Sequence, residues 1–143
     1  MTRPKYRHYT NQRRLRRLLE SLAPSDGLVD TGLPFRALPE HELRVADVVY
    51  VSAERERSIS PDDNLHGAPD IVVEVLSPSN TADEICEKER LCLENGAKEF
   101  WVVDPRLRQV RISTPDAHTI TWRSGQEIAL PLFSGKLKVD DIF

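Results

Sequence analysis

The chain has 143 residues, 39% of them apolar and 30% charged, with a formal net charge of −3. That is one domain's worth of soluble globular sequence, with enough apolar material for a core, and it excludes a disordered chain and a globally basic histone-like binder. No apolar run approaches the ~20 residues of a membrane helix, and the basic N-terminus lacks a secretion signal's apolar centre, so the sequence predicts a cytoplasmic protein.

Arg3, Lys5, Arg7, Arg13, Arg14, Arg16 and Arg17 all precede the first acid, Glu20. Leu15, Leu18, Leu19 and Leu22 recur at three- and four-residue spacing, which predicts an amphipathic helix over about 10–22. Thr10 or Asn11 would cap its start, and Pro24 lies past its end. Residues 28–38 read as a strand weakened by Gly32 and Pro34, and 43–51 as a second, bounded by Pro39 and by the charged run 54–57. Residues 52–68 read as a loop. Ile71–Leu76 is a β-branched buried strand stopped by Ser77-Pro78. A second helix follows over 82–95, closed by Asn95-Gly96. Phe100–Val103 is a strand stopped by Asp104-Pro105, 110–113 and 119–122 form a hairpin, and a short strand lies near 128–130. The order predicts an α/β domain spanning 1–143, a mixed sheet flanked by two helices with a small antiparallel C-terminal extension.

The informative positions are polar residues inside apolar patterns. Glu74 interrupts the strand Ile71–Leu76, and a buried carboxylate must be paired, protonated or bound to a metal. The alternative is an edge strand with Glu74 in water. Alternation puts Asp70 on the same face, but about 13 Å away at ~3.3 Å per residue, so the two cannot share an ion in an unbent strand. A partner must come from another segment. Asp47, at the entry to the second strand, is the natural candidate, since two carboxylates from neighbouring strands suit Mg²⁺ or Mn²⁺. An ordinary turn aspartate is its other reading. Lys88 falls on one helical stripe with Ile85 and Cys92, so it either snorkels outward, pairs with Glu84 four residues back, or answers Glu74.

The remaining chemistry-bearing residues give less. Cys86 and Cys92 are turned roughly 240° apart on a helix, so no disulfide joins them. No zinc pattern, glycine-rich phosphate loop or G-x-S-x-G elbow is present. His8, His41, His66 and His118 read as loop or surface residues. The face carrying Arg13, Arg14, Arg16 and Arg17 is either solvated or holds a phosphate backbone.

Pro69-Asp70-Ile71-Val72-Val73-Glu74-Val75-Leu76-Ser77-Pro78-Ser79, then Glu87-Lys88, then Gly96 through Pro105, resemble a bacterial restriction endonuclease domain family of the PD-(D/E)xK nuclease superfamily. Upstream, Arg44-Val45-Ala46-Asp47-Val48 resembles the strand that carries that family's Pro-Asp pair, with Ala46 in place of the proline. The resemblance covers about residues 8–143. It implies a restriction endonuclease-like fold and a metal-dependent endonuclease acting on nucleic acid, DNA first. It implies Asp47 and Glu74 as ligands of Mg²⁺ or Mn²⁺, Lys88 beside the attacking water, and Asp70 as a further acid near the site. The lysine usually two residues after the glutamate is Leu76 here, so its role passes to Lys88. A family tyrosine one turn later is Cys92, and the sequence starts close to that family's first helix, from which an N-terminally shortened domain without the family's acidic segment is expected. A nuclease-like binding module without activity is the alternative, and the apolar segments 128–130 and 142–143 leave room for a homodimer.

Overall fold

The computed structural model describes residues 5–38 and 42–143; Arg3, Pro39 and His41 of the sequence reading lie outside them. The first helix, α1, is Tyr6–Leu22. It begins one turn before the expected start. Lys5 occupies the N-cap, and the Thr10 hydroxyl bonds back to the Tyr6 carbonyl at 3.0 Å, so Thr10 and Asn11 are interior residues rather than caps. Leu15 and Leu19 are fully buried, as the leucine stripe requires.

The expected strand 28–38 is two strands, β1 (Leu28–Asp30) and β2 (Pro34–Arg36), separated by a turn in which Gly32 takes φ +70. The expected strand 43–51 is likewise divided into β3 (Arg44–Val45) and β4 (Val48–Val51). The break falls at Ala46-Asp47. The Asp47 carbonyl accepts from the Gln12 side chain at 2.8 Å, so it leaves the ladder. The expected loop 52–68 contains the short helix α2 (Ala53–Arg57), capped by the Ser52 hydroxyl, and β5 (Leu65–His66). β6 (Ile71–Val75) is buried along its whole length. α3 (Ala82–Glu94) starts at Thr81, whose hydroxyl accepts from the Glu84 N–H at 3.1 Å, and stops at Asn95 before Gly96 at φ +112. Then come β7 (Glu99–Asp104), β8 (Gln109–Ser113), β9 (Thr119–Arg123), β10 (Glu127–Leu130), β11 (Gly135–Lys138) and the terminal turn α4 (Val139–Ile142).

The central sheet runs β1-β4-β6-β7-β8-β9 among the described residues, with β10-β11 and β3-β2-β5 as small separate sheets. Only β6 and β7 pair parallel within it, and α3 makes the crossover between them. Alternation along β6 separates two cores. Ile71, Val73 and Val75 face α1 and the C-terminal segment, with Leu15, Leu19, Trp101, Ile128 and Ile142. Val72 faces α3 and the small sheet, with Phe35, Val49, Ile85, Cys92 and Phe100. The fold is therefore the expected α/β architecture, a mixed sheet between two helical layers. Ile128, Leu130 and Ile142 are buried in this chain's own core, while Phe143 is partly buried against it. No described helix is long and apolar enough to cross a membrane.

Candidate active site

β4 and β6 run antiparallel with Val48 opposite Val73, so the residues next along each strand at that end, Asp47 and Glu74, come to the same edge of the pair. The break before β4 frees the Asp47 side chain to reach across, and its Oδ2 accepts from the Val75 main-chain N–H at 2.7 Å. α3 packs back on the same sheet face and delivers Lys88. Its ammonium pairs with Glu74 Oε1 and donates to the Val45 carbonyl at 2.6 Å. The three residues are thus brought together. Lys88 neither snorkels nor pairs with Glu84, and Glu87 is held elsewhere by Arg44 at 2.8 Å. The side chains of Glu74 and Lys88 keep only 10% and 16% of their exposure.

Burial is the largest influence on Glu74 and pushes its carboxyl up to about 7. The Lys88 ammonium pulls it down and the neighbouring Asp47 charge pushes it up. Lys88 thus pairs with Glu74, and the Asp47 carboxylate lies beside that pair in a half-closed site.

The first helix adds a residue that the sequence reading left on the surface. His8 Nε2 lies 3.1 Å from Asp47 Oδ1, with the His8 side chain 12% exposed and its Nδ1 buried without a partner. With Gln12 on the Asp47 carbonyl, one face of α1 fixes both the side chain and the backbone of Asp47. The other described histidines are exposed, His66 on Asp63 and His118 on Asp116. Cys86 and Cys92 are free thiols, the second buried and pushed up to about 12 by that burial.

Asp70 does not join the cluster. At the opposite end of β6 it is buried, bound by Arg55 at 3.1 Å, the Ser52 N–H at 3.2 Å and Lys98 at 3.9 Å. The arginine face also divides. Arg16 pairs with Glu20 and Asp30, both at 3.4 Å, and Arg14 reaches the Ile142 carbonyl at 3.5 Å. Arg13 and Arg17 stand exposed.

The donor set suits a hard divalent cation. Two carboxylates meet there, and the buried Glu74 carboxylate has Lys88 and Asp47 as its side-chain neighbours. Among the described residues no three acids, cysteines or histidines are gathered closely enough to hold an ion by themselves. Mg²⁺ is commonly held by one or two carboxylates with phosphate and water completing its shell, so Asp47 and Glu74 are a sufficient protein contribution.

The sequence model of the Uma2 family, described as "Putative restriction endonuclease", matches residues 1–139. The chain belongs to this family. Among solved structures, a crystal structure titled as a putative nuclease belonging to DUF820 from Anabaena variabilis ATCC 29413 superposes with a TM-score of 0.84. It is 20% identical, and the match covers 99% of this chain and 83% of that one. At that identity it shows a shared fold. No curated protein matches the chain.

Proposed function

We propose that this Uma2-family protein is a metal-dependent endonuclease that hydrolyses phosphodiester bonds in DNA. The observation that carries the reading is the meeting of Asp47, Glu74 and Lys88, drawn from β4, β6 and α3 into one partly buried site. Asp47 and Glu74 would hold Mg²⁺ or Mn²⁺. Bound there, the cation supplies neutralisation of phosphate charge and a more acidic water. Lys88, fixed between the Val45 carbonyl and Glu74, places a positive charge where negative charge grows on the attacked phosphate, and orients the water that attacks. His8 and the Val75 N–H take one oxygen each of Asp47 and keep its carboxylate from rotating. Arg13 and Arg17 supply sequence-independent contacts to the phosphate backbone.

The second reading, a nuclease-like binding module without turnover, draws on the presence of only two acids at the site among the described residues. Incubating supercoiled plasmid with Mg²⁺ or Mn²⁺ separates the two. The expected result is metal-dependent nicking by the wild type that Glu74→Ala and Lys88→Ala both abolish while circular dichroism stays unchanged. No wild-type cleavage with either metal supports the binding module, and cleavage that survives both substitutions removes the site assignment.

A further inference from the structure

The outer face of α1 carries a feature that the hydrolytic site does not use. Tyr6 and Tyr9 are 77% and 55% exposed, although aromatic rings of this size normally contribute to a core. Their centroids lie 6.1 Å apart with the planes inclined at 31°, so the two rings form one tilted apolar surface. Arg13 is four residues beyond Tyr9 and seven beyond Tyr6, and Arg17 is one turn further. Helical geometry therefore sets both tyrosines with the exposed Arg13 and Arg17 along one stripe. The opposite stripe of the same turns carries His8 and Gln12, which hold Asp47.

From this juxtaposition we propose that the stripe Tyr6-Tyr9-Arg13-Arg17 is a binding track for single-stranded DNA, on which unpaired bases stack on the tyrosines while the arginines take the backbone phosphates. Aromatic rings interleaved with cations are the arrangement by which proteins hold single strands, because every base offers a π-face and every nucleotide a charge. Duplex bases are already stacked on one another and show only their edges in the grooves, so rings on a convex helix face have little to grip there. The track also begins close to the hydrolytic site. The tyrosines stand on the same helix turns as His8 and Gln12, which contact Asp47, so a strand held on the track lies within a few nucleotides of the hydrolytic site. The inference rests on the nuclease reading for its purpose, the selection of substrates with an unpaired segment, but the binding can be measured without cleavage.

The test is the affinity of the full chain for a fluorescein-labelled oligo(dT) and for a duplex of equal length, in EDTA so that nothing is cut. Tyr6→Ala and Tyr9→Ala are each expected to weaken single-strand binding roughly ten-fold. Tyr6→Phe and Tyr9→Phe are expected to restore it, and duplex affinity to stay unchanged. Arg13→Gln with Arg17→Gln is expected to lower the slope of log affinity against log salt by about 1.4, or ~0.7 per phosphate contact. All four side chains are exposed, so folding is not at stake. Alanine variants that bind the oligonucleotide like the wild type, phenylalanine variants as weak as alanine, or an equal loss on duplex would each overturn the proposal. Tyrosine-dependent single-strand binding in a protein that cuts no plasmid with either metal would uphold the track and remove the nuclease reading. Metal-dependent cutting with no tyrosine effect would do the reverse.

Discussion

Glu74 carries the sharpest conflict in the molecule, a carboxylate in the middle of a fully buried strand with another carboxylate beside it. Its proton is held well above the ordinary 4.5, up to about 7, chiefly by burial. A carboxyl raised in the folded state adds stability while protonated and withdraws it as pH rises through the folded value. In metal-free protein, wild type should therefore lose stability relative to Glu74→Gln between about pH 4.5 and about pH 7, with no further drift above. Urea denaturation of both proteins across that window measures it. A wild type that gains on the variant with rising pH would mean that Lys88 holds Glu74 ionised. Glu74 and Lys88 were legible because each breaks an apolar pattern whose period is known. His8 was not, because a helix taken to start at residue 10 leaves it outside. Once α1 starts at Tyr6, His8 falls seven residues before Leu15 and fourteen before Leu22, on the buried stripe, and that spacing is the signal that could have found it.

Among the elements, the long and strongly periodic ones were readable: α1 by its leucines, β6 by its β-branched run, α3 by its Asn95-Gly96 stop. The misread ones are short and held by side chains distant in sequence, which local pattern does not encode. The two- and three-residue strands β2, β3 and β5 owe their existence to one another. α2 lies within a charged segment that reads as polar punctuation. Its place is fixed by Arg55, which bonds the buried Asp70 carboxylate and the His66 carbonyl and so ties α2, β5 and the start of β6 together. Asp70 accordingly anchors that corner of the fold. Arg55→Met would leave its carboxylate buried with the Ser52 N–H and the largely exposed Lys98 as its remaining partners, at a cost of about 3–5 kcal/mol. Adding Asp70→Asn to that variant should recover most of the loss, because the uncompensated charge is gone. Chemical denaturation of the two single variants and the double closes this cycle, and a double variant no more stable than Arg55→Met would contradict it. Asp70→Asn alone should leave plasmid nicking near wild type, in contrast to Glu74→Ala.

For the whole molecule, the mixed sheet between helical layers was legible, while the way in which the chain's last residues close it was not. β11 offers one apolar side chain, Leu137, in four residues, and α4 is a single turn, so neither has a period long enough to detect. Their role is nevertheless central. Ile128, Leu137, Val139 and Ile142 pack with Leu15 and Leu19 of α1 in the same core as Val73 and Trp101 of the sheet. The Arg14 guanidinium adds a bond to the Ile142 carbonyl. The residues that suggested an intermolecular surface are thus the seat of α1, and α1 holds Asp47 through His8 and Gln12 on its inner face. Because this core joins the first helix, the central sheet and the chain's last turn, it should unfold as one unit. Ile142 is fully buried, so Ile142→Ala should cost roughly 2–5 kcal/mol. The loss should move a single transition to lower temperature, with far- and near-ultraviolet circular dichroism still coincident. Separate transitions by the two probes would mean that the C-terminal segment folds apart from the sheet. An apparent mass that falls on size exclusion, with stability intact, would mean instead that Ile142 serves a contact between copies.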